Sequence, residues 1–291
     1  MAFERLRALL PAPLSSGVPV VPVVRLVGPI GMRASPLQPS LSLVGVAGAL
    51  RRAFSMKRAA AVAIVVNSPG GSPVQSNLIF KRIRQLADEK DKKVFVFVED
   101  VAASGGYFIA VAGDEIVADP SSIVGSIGVV SASFGLDKAI ARLGIERRVH
   151  TAGDRKVMFD PFQPEKAEDV KRLKAIQADI HATFIDVVRS RRADRLKEAD
   201  GKLFTGEFWT GTKALELGLV DRLGDLRSVL RCEYGDKVQL PLISTNRRGL
   251  FGLGRGPVGS LSANGEGIAR AAASGLIEAV EDRELWARYG L

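Results

Sequence analysis

The chain of 291 residues is poor in residues that several classes of protein require. Its single cysteine, Cys232, excludes an internal disulfide and cannot build a cysteine-based zinc site by itself. It has only two histidines, aromatic residues make up 6%, and no apolar run approaches the ~20 residues that cross a bilayer. Acidic residues are also in the minority, 32 against 41 Lys and Arg, so the formal net charge is +9. We predict no metal and no cofactor.

The first ten residues bear on where the protein works. Glu4, Arg5 and Arg7 stand where a secretory signal would have its apolar core, so the sequence predicts no signal peptide and a cytoplasmic protein. The apolar residues between them recur at helical spacing, and positive charge is attracted to anionic lipid, so peripheral contact with the inner membrane is a further expectation. Nucleic acid is not an expected partner, because the basic residues are scattered and accompany no RNA- or DNA-binding motif.

Composition changes along the chain predict four segments. A hydrophobic content of 46% is enough for the core of one large α/β domain, which we place at residues 18–245 after an N-terminal extension at 1–17. Glycine recurs without a period in the following segment, 246–267, which is typical of a flexible linker. Residues 268–291 are predicted to form an amphipathic helix.

The most informative stretch runs from a buried strand into an apolar helix through Ser104. Residues 94–98 are apolar on both faces, which is typical of a central parallel strand. Small residues then begin a helix whose first N–H groups are unpaired and favour negative charge beside Ser104. The position suits a nucleophilic serine. The simpler interpretation is a serine N-cap before a core helix.

A second strand–turn–helix unit points to the same edge of the sheet. The apolar run at 60–66 leads into Asn67-Ser68-Pro69-Gly70-Gly71-Ser72 and then into an amphipathic helix. Ligands bind at the carboxyl ends of parallel strands, so this turn and the Ser104 turn are expected to face one crevice. Backbone N–H groups of Gly70 or Gly71, with that of Gly105, could then form an oxyanion hole. There are two alternatives: the glycines serve only the geometry of the turn into the helix, or the turn is a phosphate-binding loop. The Walker and dinucleotide-binding patterns that a phosphate loop would show are incomplete here.

Five motifs occur in order along the chain: N-S-P-G-G (67–71), A-S-G-G-Y (103–107), G-S-I-G-V (125–129), R-K (155–156) ahead of D-P-F (160–162), and F-T-G-x(4)-G-x(2)-A-x(3)-G-L-V-D (204–221). Together they resemble the signal peptide peptidase A family of serine proteases over roughly residues 20–230. The resemblance implies a ClpP/crotonase-like α/β fold with repeated βα units. It also implies a serine nucleophile at Ser104 and a lysine general base at Lys156.

The choice of base depends on few candidates. A lysine accepts a proton only when neutral, and burial lowers a lysine pKa from about 10.4 by up to 3–5 units. The apolar residues 157–159 after Lys156 could supply this burial once a lid or a neighbour covers them. His150, with Asp154 nearby, is the rival base, on a predicted strand at 145–151. His181 lies in a long polar helix and is expected on the surface.

The remaining expectations concern substrate and assembly. Ile127, Gly128 and Val129 are predicted to form a strand edge with which an extended peptide pairs. Family resemblance suggests apolar peptides such as signal-peptide remnants, and a homo-oligomeric ring in which one subunit's lysine completes its neighbour's serine. Two other functions stay open. One is an acyl-CoA enzyme of the crotonase type using Glu99 or Asp100, and the other is a catalytically silent scaffold for membrane-associated partners.

Overall fold

The computed structural model describes residues 17–31, 40–153, 155–245 and Tyr289. A parallel sheet dominates these residues, with strand order β1-β2-β3-β4-β7. Two further strands extend it, since β5 pairs in parallel with β3 and β6 pairs antiparallel with β5. The strands are β1 (Val23–Val27), β2 (Val62–Ser68), β3 (Val94–Ala103), β4 (Glu115–Ala118), β5 (Ile123–Gly125), β6 (Phe208–Thr210) and β7 (Arg222–Leu223).

Helices connect and cover these strands. Ser42 caps α1 and Ser72 caps α2 through their side chains, each bonding the N–H three residues on. A short 3₁₀ turn, Ala193–Arg195, follows the longest helix. The helices are α1 (Leu43–Phe54), α2 (Pro73–Lys90), α3 (Gly105–Ala110), α4 (Asp137–Arg142), α5 (Ala167–Arg192), α6 (Asp200–Leu203), α7 (Gly211–Leu217) and α8 (Leu226–Tyr234).

The sheet has a buried core on each face. The larger core packs the sheet against α1, α2, α3, α5 and α7 and contains fully buried side chains such as Phe54, Ile83 and Ile109. The smaller core lies under α8 and includes Phe95 and Leu230. Because β2 and the first half of β3 are buried on both faces, their continuous apolar sequence is explained by position. This is the ClpP/crotonase-like α/β architecture that the sequence predicted.

The long strand β3 changes partner as it approaches Ser104. Residues 95–98 pair with β4, whereas Val101–Ala103 pair with β5, so β5 ends beside the serine. The register with β2 also shifts between Val66 and Ser68. The ends of β2, β3 and β5 therefore meet at one edge of the sheet.

Two predicted strands are wrong. Residues 145–151 are irregular and exposed, because among the described residues no strand lies alongside to pair with them. Residues 127–130 are irregular as well, since the strand at this point is β5, which ends at Gly125. The predicted N-terminal extension, linker and C-terminal helix lie outside the described residues, apart from Gly17 and Tyr289.

Candidate active site

Ser104 occupies a strained turn between β3 and α3. Its backbone has φ 51° and ψ −120°, a region that residues with a Cβ seldom adopt and that costs about 1–3 kcal/mol. The backbone is held there from both sides, since the Ser104 N–H donates to Gly125 O at 2.8 Å and its carbonyl accepts from Phe108 N at 3.0 Å. The surrounding fold therefore imposes the conformation and aims one hydroxyl outward.

The side chain of Ser104 does not cap the helix that it precedes. Ser104 stands at the N-cap position of α3, as the simpler interpretation has it, but its side chain forms no capping hydrogen bond within the helix. Ser104 is instead half-buried and lines a cavity of about 490 Å³ at the carboxyl edge of the sheet. Other lining residues described by the structure are Pro69, Gly71, Ser72, Ser126, Gly128 and Val129.

The glycine turn after β2 borders the same serine. Gly70 and Gly71 have φ values of 108° and 135°, which only glycine adopts readily. A Cβ on Gly70 would lie 2.8 Å from the Ser104 Cβ, and one on Gly71 would overlap the Ile30 carbonyl. The two turns predicted to face one crevice do so.

The backbone N–H groups of this turn point to different sides. Gly70 N–H donates to Ser68 Oγ at 3.3 Å, so it is already used. The segment is held to Ile30 through Gly70 O and Ser72 N–H, both at 2.7 Å. In a parallel bridge of this kind the intervening residue points its own N–H the other way. Gly71 N–H therefore points away from Ile30, and the Gly71 nitrogen lies 3.4 Å from the place that a Cβ on Gly105 would occupy.

The two glycines after Ser104 permit close packing of α3. A Cβ at Gly105 would overlap Ser76 Oγ of α2, and a Cβ at Gly106 would overlap the Ser68 carbonyl of β2. Gly105 is also the first residue of α3, so its N–H has no acceptor within the helix. Gly71 and Gly105 thus bring two backbone donors to one place.

A side-chain bridge that sequence reasoning missed joins β2 to β3 near their carboxyl ends. Asn67 Nδ2 donates to Asp100 Oδ2 at 2.6 Å, while Asn67 Oδ1 accepts from Val101 N at 3.2 Å. Glu99 forms an ion pair with Arg25 at 2.5 Å. Both carboxylates that an acyl-CoA enzyme would have used are therefore tied to neighbouring strands. Asn67 belongs to the N-S-P-G-G motif, and this is the feature of the sequence from which the bridge could have been predicted.

Of the predicted substrate edge, Gly128 and Val129 line the cavity and Ile127 does not. Ile127 is fully buried, and its carbonyl accepts a hydrogen bond from His181 Nε2 at 3.0 Å. His181 is half-buried for this reason, so the expectation of a surface histidine is wrong. Ser126, with φ 53°, donates its N–H to Glu207 O at 2.6 Å and fixes the start of the segment.

The two candidate bases lie apart from this cavity. Lys156 sits on an exposed turn, with its N–H donating to Gly153 O at 3.2 Å, and it is not among the described residues that line the cavity. Residues 157–159 after it are half-buried while Lys156 itself is exposed, so one protomer does not supply the expected burial. His150 is exposed too and does not line the cavity.

A buried network behind the serine supports α3. Tyr107 donates its hydroxyl to Leu219 O at 2.7 Å, and burial raises its pKa. Arg192, only 1% exposed, pairs with Asp221 at 2.9 Å and also donates to Gly218 O. Burial alone would raise the pKa of Asp221, but the hydrogen bonds and charge of Arg192 outweigh it and hold that pKa below its usual range. The network anchors the G-L-V-D motif against α3.

The fold and the strained serine define the class. A ClpP/crotonase-like sheet that presents a serine at a strand–helix turn, with backbone donors beside it, has the kinds of group that acyl chemistry requires. The chain belongs to peptidase family S49, whose family model matches residues 87–236. Within the described residues, no helix is both long and apolar enough to cross a membrane.

Several relatives share this region. The chain is 36% identical to a putative protease of Synechocystis over 197 residues, 64% of this chain and 69% of that protein. It is 30% identical to the chloroplastic serine protease SPPA of Arabidopsis thaliana over 236 residues, 79% of this chain and 34% of that protein. A Brucella abortus protein named Na(+)/H(+) antiporter NhaA is 58% identical over 288 residues, 98% of this chain. The chain spans only 39% of that longer protein, whose name does not define the activity of the matched part.

Proposed function

We propose that this chain is a serine endopeptidase whose nucleophile is Ser104 and whose general base is Lys156. The observation that carries the proposal is the strained Ser104, whose side chain makes no capping bond, beside a cavity that Gly71 also lines. Family membership supports the serine type, because the A-S-G-G-Y and R-K motifs fall within the matched residues 87–236.

Each group has a defined task in this mechanism. Lys156 Nζ removes the proton from Ser104 Oγ as the oxygen attacks the peptide carbonyl. It then gives this proton to the leaving nitrogen, so the C–N bond breaks, the amine departs and an acyl-enzyme forms. Two N–H groups, those of Gly71 and Gly105, hold the negative oxygen of the tetrahedral intermediate. Gly70 belongs to the turn but its N–H is occupied by Ser68, so we assign it no donor role. Water then releases the acyl group.

The substrate is proposed to be an extended apolar peptide, such as a signal-peptide remnant or part of a membrane-associated protein. Pro69, Pro73, Val129 and Val130 contribute apolar side chains to a cavity lining that also carries hydroxyl groups. A Cβ on Gly128 would lie 3.0 Å from the Gly206 Cα, so these two segments of the cavity wall pack backbone against backbone. The proposed substrate is an extended chain and not a folded one.

Lys156 is proposed to reach its serine in a neighbouring copy of the chain. Residues 130–151 are almost all exposed, and they carry large apolar side chains that a lone protomer leaves in water. The most exposed are Val130 at 64%, Phe134 at 83%, Leu143 at 73% and Ile145 at 55%. Apolar area of this extent is typical of an interface. Formation of a homo-oligomeric ring would cover these apolar side chains and would bury Lys156 at the same interface.

Labelling with a fluorophosphonate probe tests the nucleophile. We expect modification of the wild type at Ser104, mapped by mass spectrometry, and its loss in Ser104→Ala and Lys156→Ala, with Lys171→Ala, another exposed lysine, as the matched control. Modification at Ser72 or Ser126 in the same cavity would contradict the assignment. A folded protein that takes no label and cleaves no peptide would favour the silent scaffold.

Subunit mixing tests the shared site. Ser104→Ala and Lys156→Ala proteins are each expected to be inactive, and their co-assembled mixture should regain part of the activity, because some interfaces pair an intact serine with an intact lysine. The double variant mixed with either single one controls for contamination. If co-assembled oligomers stay inactive, or the active species sediments as a monomer, the shared site is wrong.

A further inference from the structure

Tyr289 lies in the cavity beside Ser104, although the two are far apart in sequence. Its hydroxyl is 3.2 Å from Ser126 Oγ and 3.4 Å from the Pro69 carbonyl oxygen. Its ring meets the ring of Phe208 edge-on, with centroids 5.1 Å apart and planes at 75°. One aromatic side chain is thus held at both its polar and its apolar end.

The three partners belong to parts of the fold that are fixed independently of Tyr289. Pro69 is in the glycine turn that is hydrogen-bonded to Ile30. Phe208 is paired with Gly125 in the β5–β6 ladder, and Ser126 follows directly with its N–H bonded to Glu207 O. A carbonyl acceptor, a hydroxyl and an aromatic face therefore stay in place whichever side chain enters.

We propose that Phe208, Ser126 and the Pro69 carbonyl form a subsite for a tyrosine side chain of the substrate, which Tyr289 fills when no substrate is bound. The proposal rests on the proposed peptidase function of Ser104 only for the identity of its natural ligand. The chemistry of the subsite selects a phenol. An aromatic ring satisfies Phe208, and the phenolic O–H donates to the Pro69 carbonyl while its oxygen can accept from Ser126.

The same geometry sets the order of preference. Phenylalanine would keep the contact with Phe208 but leave the polar end unfilled, and one neutral hydrogen bond corresponds to about a 2- to 10-fold change in affinity. Leucine would lose the edge-on ring contact as well. Tyr289 competes with an external ligand for the subsite. If Tyr289 fills the subsite in about three quarters of the molecules, only about one quarter are open, and the apparent affinity for the external ligand falls about fourfold.

Direct binding tests the subsite without requiring catalysis. N-acetyl-tyrosinamide, N-acetyl-phenylalaninamide and N-acetyl-leucinamide are titrated by NMR into full-length Ser104→Ala and into the same protein carrying Tyr289→Ala. We expect the tyrosine compound to bind about fourfold more tightly once Tyr289 is removed, in the order tyrosine, phenylalanine, leucine. Adding Ser126→Ala should reduce the difference between tyrosine and phenylalanine, and adding Phe208→Ala should abolish the preference for aromatics. Tyr289→Phe, which keeps the ring but loses the hydroxyl, should fill the subsite less well than Tyr289 and give an affinity between those of the parent and Tyr289→Ala.

Some outcomes would overturn the proposal. Equal affinity with and without Tyr289, equal binding of the leucine compound, or no detectable binding to the Tyr289→Ala protein would each do so. Cleavage of peptides that differ only in a Tyr, Phe or Leu residue forms a second arm on the protein with Ser104 intact. If the binding order holds but no peptide is cleaved, the peptidase function fails and the subsite stands. If peptides are cleaved without any aromatic preference, the subsite fails and the peptidase stands.

Discussion

Replacing Ser104 by glycine should make the protein more stable than replacing it by alanine, although both variants lack the nucleophile. Alanine keeps the Cβ and hence the strain at φ 51° and ψ −120°, whereas glycine adopts this region freely. Relief of the strain stabilises Ser104→Gly by about 1–3 kcal/mol. The greater freedom of glycine in the unfolded chain opposes this and destabilises the same variant by about 0.4–1 kcal/mol. The free energy of unfolding of Ser104→Gly should therefore exceed that of Ser104→Ala by about 0.5–2 kcal/mol.

Thermal and urea unfolding measure this difference. For a domain of 150–250 residues, 1 kcal/mol shifts Tm by about 2–4 °C, so a rise of about 1–8 °C is expected, with an unchanged urea m-value. Ser121 provides the matched control because it is exposed and is not among the positive-φ residues. There glycine should be less stable than alanine by about 0.4–1 kcal/mol. If Ser104→Gly melts at or below Ser104→Ala while the Ser121 pair behaves as expected, the argument from strain is refuted.

Three further predictions concern the support of the site. Asp221→Asn should lower the free energy of unfolding by about 3–5 kcal/mol in urea, because Arg192 is left buried without its charge partner, whereas Arg195→Ala, nearer the surface, should cost under about 1 kcal/mol. Because the pKa of Asp221 is depressed in the folded state, this carboxylate contributes stability at pH values above its unfolded pKa near 3.9, and that stability is lost as the pH falls further. The loss of stability with falling pH, followed by circular dichroism, should therefore be shallower in Asp221→Asn than in the parent. An identical dependence on pH would contradict this. Gly106→Ala should cost about 1–3 kcal/mol by overlap with a β2 carbonyl, against little or no loss for Gly201→Ala, which meets nothing; equal effects on Tm would contradict the packing argument.

Sequence alone determined the sheet and the serine turn. Continuous apolar runs at 60–66 and 94–98 require burial on both faces, and only a central parallel strand provides it, so β2 and β3 were predictable. Glycines at 70, 71, 105 and 106 follow those strands because the turns pack against one another at backbone distance. Local sequence therefore placed Ser104 and its donors at one edge.

Tertiary structure decided what the serine turn contacts. The strain at Ser104 comes from bonds to Gly125 and Phe108, and the Asn67–Asp100 bridge spans two strands, so no local pattern encodes either geometry. Residues 145–151 were predicted as a strand from their local pattern, but that pattern carries no information about whether a partner strand exists. The approach of Tyr289 to Ser126 likewise depends on how distant segments of the chain meet. Contacts between residues remote in sequence depend on the whole packed fold, and this is why they emerge only from the tertiary structure.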